Sequence, residues 1–184
     1  MTQPLRSQPP QHYTDPAFFA QEQDAIFFKT WLFAAHESQV RDPGDYHCFE
    51  VAGQNLFLLR GRDGRVRCFY NVCQHRAHEL LEGSGSRRVL VCPYHAWTYD
   101  LTGRLMKAPN DRKVEGFQRQ EICLEEVRVE SFHGFLFVNL DPDAAPMEAW
   151  YPGVHEALAA YVPSIDDLQP VQWMTLQEDC NWKI

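Results

Sequence analysis

A chain of 184 residues with 45% hydrophobic side chains can bury one good core and falls near the usual size of a single domain. Its formal charge of -8, from 25 acidic and 17 basic residues, comes without a basic block or stripe, which excludes the electrostatic footprint of a nucleic-acid binder. Its apolar runs stay far below the roughly 20 residues that cross a bilayer. The first residues are proline-rich and polar, with one Arg and no apolar core, so they do not read as a secretory signal. Six cysteines in a chain of this size do not call for a disulfide framework, and a reducing cytoplasm is the expected compartment.

Residues 1–13 are expected to form a flexible arm. A helical lead over 14–39 follows, with Thr14 or Asp15 as cap, Pro16 at its first position, and Phe18, Phe19, Ile26 and Phe27 recurring at helical spacing as a core stripe. From Tyr46 the period changes to two. YHCFEV and LFLLR flank a turn at AlaGlyGlnAsn, and RVRCFY follows GlyArgAspGly, which predicts an antiparallel meander. Further strands are expected at RRVLVC, at AWTYDL turning through ThrGly into RLMK, at EEVRVE and at GFLFVNL. Cys48, Cys68 and Cys123 lie in such segments and read as plain thiols. A mostly β domain of antiparallel sheets over 40–145 results. Residues 146–184 are expected to hold a linker helix ending at Tyr161, a last strand at VQWMTLQE, and the start of a further, truncated domain, since the chain ends while still apolar and patterned.

The informative constellation is Cys73-Gln74-His75, sixteen residues, then Cys92-Pro93-Tyr94-His95. Each half follows a strand candidate, so two loops at one end of a sheet could present two sulfurs and two imidazoles to one place. Thiolates on one iron and neutral imidazoles on the other make an asymmetric 2Fe-2S cluster with a raised potential and ring nitrogens free for protons. A structural zinc site usually pairs Cys with Cys and His with His; it stays open here, as does chance clustering.

NVCQHRAHELL and CPYHAWTYDLTG resemble the two cluster loops of Rieske domains, and more narrowly those of the oxygenase (alpha) subunits of Rieske non-haem iron oxygenases. The resemblance implies cluster ligation by Cys73, His75, Cys92 and His95. Respiratory Rieske proteins carry an extra Cys in each loop and a Ser that hydrogen-bonds a bridging sulfide. Those positions read His78, Tyr94 and Trp97 here, which implies a potential toward the low end of the Rieske range. Tyr94 and Trp97 are expected to shield the cluster, Arg76 to pair with a carboxylate on a neighbour or stay solvated, and His78 to pack or hydrogen-bond within its loop.

The aromatic helix before the β domain, GFLFVNLDPDAAP after it, and AsnTrpLys at 181–183 resemble landmarks of the same subunits. The resemblance covers nearly all of the chain from Tyr13. It implies an electron relay fed by a reductase or ferredoxin, delivery to a mononuclear Fe(II) that activates dioxygen, and a homotrimer. No catalytic residue and no ligand of that second iron is expected within these 184 residues; His133 and His155 read as ordinary surface residues. Ala77 and Ala96 stand where ring-hydroxylating dioxygenases commonly carry Gly, and the wording around them is closer to oxygenases of quaternary ammonium compounds. A stand-alone Rieske-type ferredoxin and an aromatic ring-hydroxylating oxygenase are the alternatives.

Overall fold

The computed structural model describes residues 7–184. The first part of the expected arm, residues 1–6, lies outside the described residues, and its end turns once as α1 (Gln11–Thr14). Asp15 then caps α2 (Pro16–Glu22) by accepting from the Ala17 amide at 2.8 Å, with Pro16 at the first helical position where its missing N–H costs nothing. A π-helical turn carries the chain to Phe27. The expected core stripe is not one: Phe19 and Ile26 are exposed, and the residue α2 buries is Glu22. The reason lies at 182–183, where the Trp182 indole at 3.1 Å and the Lys183 ammonium at 2.8 Å both donate to the Glu22 carboxylate.

The lead also ends sooner than 39. Leu32–His36 is strand β1, whose run LFAAH has little strand preference of its own and is held by pairing with a strand from the far end of the domain. The meander follows as β2 (Asp45–Val51), β3 (Gln54–Arg60) and β4 (Val66–Tyr70). Ala52 and Gly53 both take positive φ in a two-residue hairpin that sets Val51 opposite Gln54, and so fixes the register of every pair beyond it. Next come β5 (Ser84–Ser86), β6 (Leu90–Val91), β7 (Thr98–Tyr99), β8 (Leu105–Lys107), β9 (Glu126–Phe132) and β10 (Phe135–Asn139). All pairings are antiparallel. One sheet runs β1-β10-β9-β4-β3-β2-β5, and a smaller one runs β6-β7-β8.

The continuous apolar run of β3 explains the layering. Period-two geometry sends Leu56 and Leu58 to one face, where they pack with Val40, Cys68, Leu136 and Val138. Phe57 and Leu59 go to the other face, into a core shared with Phe69, Leu90, Tyr99, Cys73 and Cys92. The sheet is thus buried on both sides at its centre, and the second core lies under the small sheet and its loops. Leu58→Ala is expected to cost about 2–5 kcal/mol through lost burial and the cavity left behind, read from the shift of a denaturant midpoint.

The exit is helical, with α3 (Met147–Trp150) and α4 (Val154–Tyr161). The Trp31 indole donates to Ala145 O at 3.1 Å and the Met147 amide to the Glu130 carboxylate at 2.9 Å, tying this exit to the sheet. The strand expected at VQWMTLQE is absent: no described strand lies beside it to accept its hydrogen bonds, and Val171, Trp173, Met174 and Leu176 are exposed.

Candidate metal centre

Two loops carry the four predicted ligands, and the backbone closes both in the same way. The Cys73 amide donates to His78 O at 2.8 Å and the Ala77 amide to Cys73 O at 3.0 Å; the Cys92 amide donates to Trp97 O at 2.8 Å and the Ala96 amide to Cys92 O at 3.0 Å. Each turn reverses through a residue with positive φ, Ala77 at 53° and Ala96 at 57°. An alanine there carries a strain that glycine would not. Ala77→Gly and Ala96→Gly are therefore each expected to raise stability by about 0.5–1 kcal/mol, measured as a higher midpoint of unfolding.

The turns bring the ligand types together in pairs. Both thiols are buried in the same core, Cys73 at 1% and Cys92 at 2% exposure. The rings of His75 and His95 meet edge to face, with centroids 4.7 Å apart. His95 Nδ1 is buried and has no hydrogen-bond partner among the described residues. An orphaned buried nitrogen costs on the order of 1–3 kcal/mol unless something accepts its lone pair or takes its proton, so a metal held there removes a penalty. No three His, Cys, Asp or Glu side chains among the described residues surround one point closely enough for a single ion. A structural zinc site usually pairs Cys with Cys and His with His along the sequence, whereas each loop here carries one Cys and one His, the ligand set of a Rieske 2Fe-2S cluster.

The surroundings are assigned by packing. Trp97 stacks on His75 with centroids 4.8 Å apart and planes 13° apart, is 8% exposed, and is backed by the edge of Phe117. Tyr94 covers His95 at 3.8 Å while 55% of it faces solvent. His78 hydrogen-bonds within its own loop, its Nδ1 2.7 Å from Glu79 O. Arg76 is exposed beside His75 and makes no ion pair among the described residues; desolvation, then the neighbouring His95 and Arg76, pull the His75 pKa down, which favours the neutral ring a metal requires.

Sequence reasoning missed Tyr99. Fully buried in the core, it places its hydroxyl 3.3 Å from Cys73 Sγ and accepts the Gln74 amide at 3.1 Å. Burial pushes the Cys73 thiol up, while the Tyr99 hydroxyl and the His75 amide draw it back toward the thiolate. Burial and the neighbouring thiol hold the Tyr99 phenol protonated, so it remains a donor. A donor to a ligand sulfur removes electron density and raises the potential of what that sulfur binds. Tyr99→Phe is expected to lower the reduction potential by roughly 40 mV, since a difference of about 1 kcal/mol between oxidation states corresponds to that shift for one electron.

Two residues read as ordinary surface are neither isolated nor fully exposed. The His133 side chain is 9% exposed, with Nδ1 2.7 Å from the Asp166 carboxylate and Nε2 3.2 Å from His155 Nδ1. They join the β9–β10 turn to α4, far along the chain from the two loops.

Residues 30–118 match the family model described as Rieske [2Fe-2S] domain. The chain carries a Rieske domain. It is 42% identical over 173 residues to the carnitine monooxygenase oxygenase subunit of Acinetobacter baumannii, a match covering 94% of this chain and 47% of that protein. It is 34% identical over 179 residues to the glycine betaine monooxygenase oxygenase subunit of Chromohalobacter salexigens, covering 97% and 40%. Among solved structures it superposes on the apo form of the quaternary ammonium Rieske monooxygenase CntA with a TM-score of 0.86 and 41% identity, covering 90% of this chain and 49% of that one. The chain thus spans about half the length of the curated relatives it matches. The mostly β antiparallel fold expected from the sequence is the fold of this Rieske domain, and such a domain implies a 2Fe-2S cluster.

Proposed function

We propose that this Rieske domain relays single electrons within the oxygenase subunit of a Rieske non-haem iron oxygenase acting on a quaternary ammonium compound. The observation that carries the relay is that two loops of matched turn geometry bring together two thiols buried in one core and two imidazoles in edge-to-face contact, with His95 Nδ1 buried and without a hydrogen-bond partner among the described residues. When bound, a Rieske cluster takes up and releases one electron at a potential above that of an all-cysteine centre.

The residues of the chain do the rest. Cys73 and Cys92 would hold one iron and His75 and His95 the other. His95, ligating through Nδ1, keeps Nε2 as the nitrogen that carries the ring proton. Trp97, Tyr99, Leu90 and Leu105 exclude water on the inner side. On the outer side the exposed edge of His75 leaves a short route to a donor or an acceptor. The sharing of turn geometry between the loops holds both ligand pairs in place as the charge changes.

The substrate class is supported by the relatives, oxygenase subunits named for carnitine and for glycine betaine. The reading extends to a reductase or ferredoxin as donor, a mononuclear iron whose ligands lie outside these 184 residues, a homotrimeric assembly, and a cytoplasmic setting. No helix among the described residues is long and apolar enough to cross a membrane.

The test is dioxygen uptake by the full-length protein supplied with a reductase. Stimulation by carnitine, choline or glycine betaine is expected. Stimulation only by an aromatic hydrocarbon would overturn the substrate class, and a full-length protein that is reduced and reoxidised without substrate-dependent uptake would favour a plain electron carrier.

A further inference from the structure

The two cluster loops share their turns but not their bases. The second loop rises from a ladder: Leu90 pairs with Tyr99 and Val91 with Thr98 on either side of it. The first rises from β4, yet residues 79–83 on its return side form no strand. Beyond the Cys73–His78 bond that closes the turn, the two flanks of this loop make no ladder with each other, so Cys73 and His75 depend on other bonds for their place.

One side chain stands where the missing ladder would be. Asn71, 1% exposed, accepts from the amides of Leu80 and Leu81, both at 3.1 Å, and donates to Leu81 O at 2.7 Å. Its amide nitrogen also lies 3.1 Å from the Glu79 carboxylate and 3.2 Å from Asn55 Oδ1. Asn55 in turn donates to Glu79 at 2.8 Å, and the backbone of Asn71 donates to Asn55 O at 2.9 Å. A carboxamide offers both a donor and an acceptor in one plane, as a peptide group does. Asn71 thus imitates a strand neighbour for the return segment while its own backbone belongs to the outgoing one.

We infer that Asn71, supported by Asn55 and Glu79, is the positioning residue of the first cluster loop: it replaces the strand pairing that closes the second loop and fixes where Cys73 and His75 meet Cys92 and His95. The inference rests on the proposed ligation by these four residues. Partners that orient metal ligands typically change metal affinity about 10–100-fold when removed. Aspartate at this position keeps the size and the two acceptor contacts, loses the donation to Leu81 O, and sets a second carboxylate against Glu79.

The experiment loads the chain, Asn71→Asp and the matched control Asn139→Asp with iron and sulfide. It records irons per chain, the electron paramagnetic resonance g values and the midpoint potential, with hydrogen exchange at the Leu80 and Leu81 amides. Asn139 is equally buried, bonded to Lys29 O and the Asp141 amide at the other end of the sheet, so it reports what loss of a buried carboxamide does in general. Asn71→Asp is expected to hold iron at least tenfold more weakly, with shifted g values or potential in what remains and faster exchange at Leu80 and Leu81. Asn139→Asp should keep the spectrum of the parent. If Asn71→Asp fails to fold, Asn55→Ala, which removes only one support, should still shift the g values or the potential. Folded Asn71→Asp with the parent's loading, g values and potential overturns the inference, as does an unaltered Asn55→Ala where that variant decides. A parent chain without a two-iron cluster would instead remove the ligation reading on which it rests.

Discussion

Replacing Cys92 with alanine is expected to reduce iron from about two atoms per chain to nearly none, and to abolish the signal of the reduced protein. Cys92 and Cys73 are the buried pair on which the thiolate-held iron depends, and no other cysteine can substitute. Cys48 is half-buried with its thiol pushed up to about 12 by burial and by Glu79 and Glu82, Cys68 is enclosed in the opposite core, and Cys123 and Cys180 are exposed elsewhere. Because the vacated site lies inside the core that contains Tyr99 and Leu90, the loss should also lower the unfolding midpoint of the loaded protein. Iron analysis and a denaturant series on the same preparation check both parts. Retention of two irons by Cys92→Ala would show that the cluster is held elsewhere.

The second large effect concerns potential rather than occupancy. The double variant His75→Cys, His95→Cys keeps four ligands but exchanges two neutral imidazoles for thiolates. A low-end Rieske potential of about -150 mV should fall by roughly 250 mV, to the region near -400 mV typical of all-cysteine 2Fe-2S centres. The pH dependence should vanish with it. In the parent each imidazole would keep a second ring nitrogen able to carry a proton, so that reduction can couple to proton uptake; a cysteine ligand offers no such nitrogen. Direct voltammetry across pH measures both. A double variant with the parent's potential and pH slope would exclude the two imidazoles as ligands.

Much of this was legible in the sequence because it is local. Strand periodicity located β2, β3, β4, β9 and β10, and the turn at Ala52-Gly53 set the register of β2 against β3. The spacing of Cys73, His75, Cys92 and His95 pointed to the loops that the structure places side by side. What escaped were features decided by distant partners. Leu32–His36 is a strand because β10 lies beside it, and β5 exists only against β2. Glu22 is buried because residues 182–183 fold back onto α2, which reverses the face a helical wheel would choose. VQWMTLQE has strand composition and no described neighbour. Tyr99 and Asn71 lie in segments whose patterning announces only core and loop; their contacts with Cys73 Sγ and with residues 79–81 become visible once the sheets are assembled. His133 and His155, 22 residues apart, gave no sign of their mutual hydrogen bond.

The central claim, a cluster held by two cysteines and two histidines, is tested most directly by the electron paramagnetic resonance spectrum of the dithionite-reduced chain with iron and zinc quantified on the same sample. A rhombic signal of low average g with about two irons per chain is the predicted result. A colourless, silent protein carrying one zinc and no iron would contradict it and leave a structural metal module in its place.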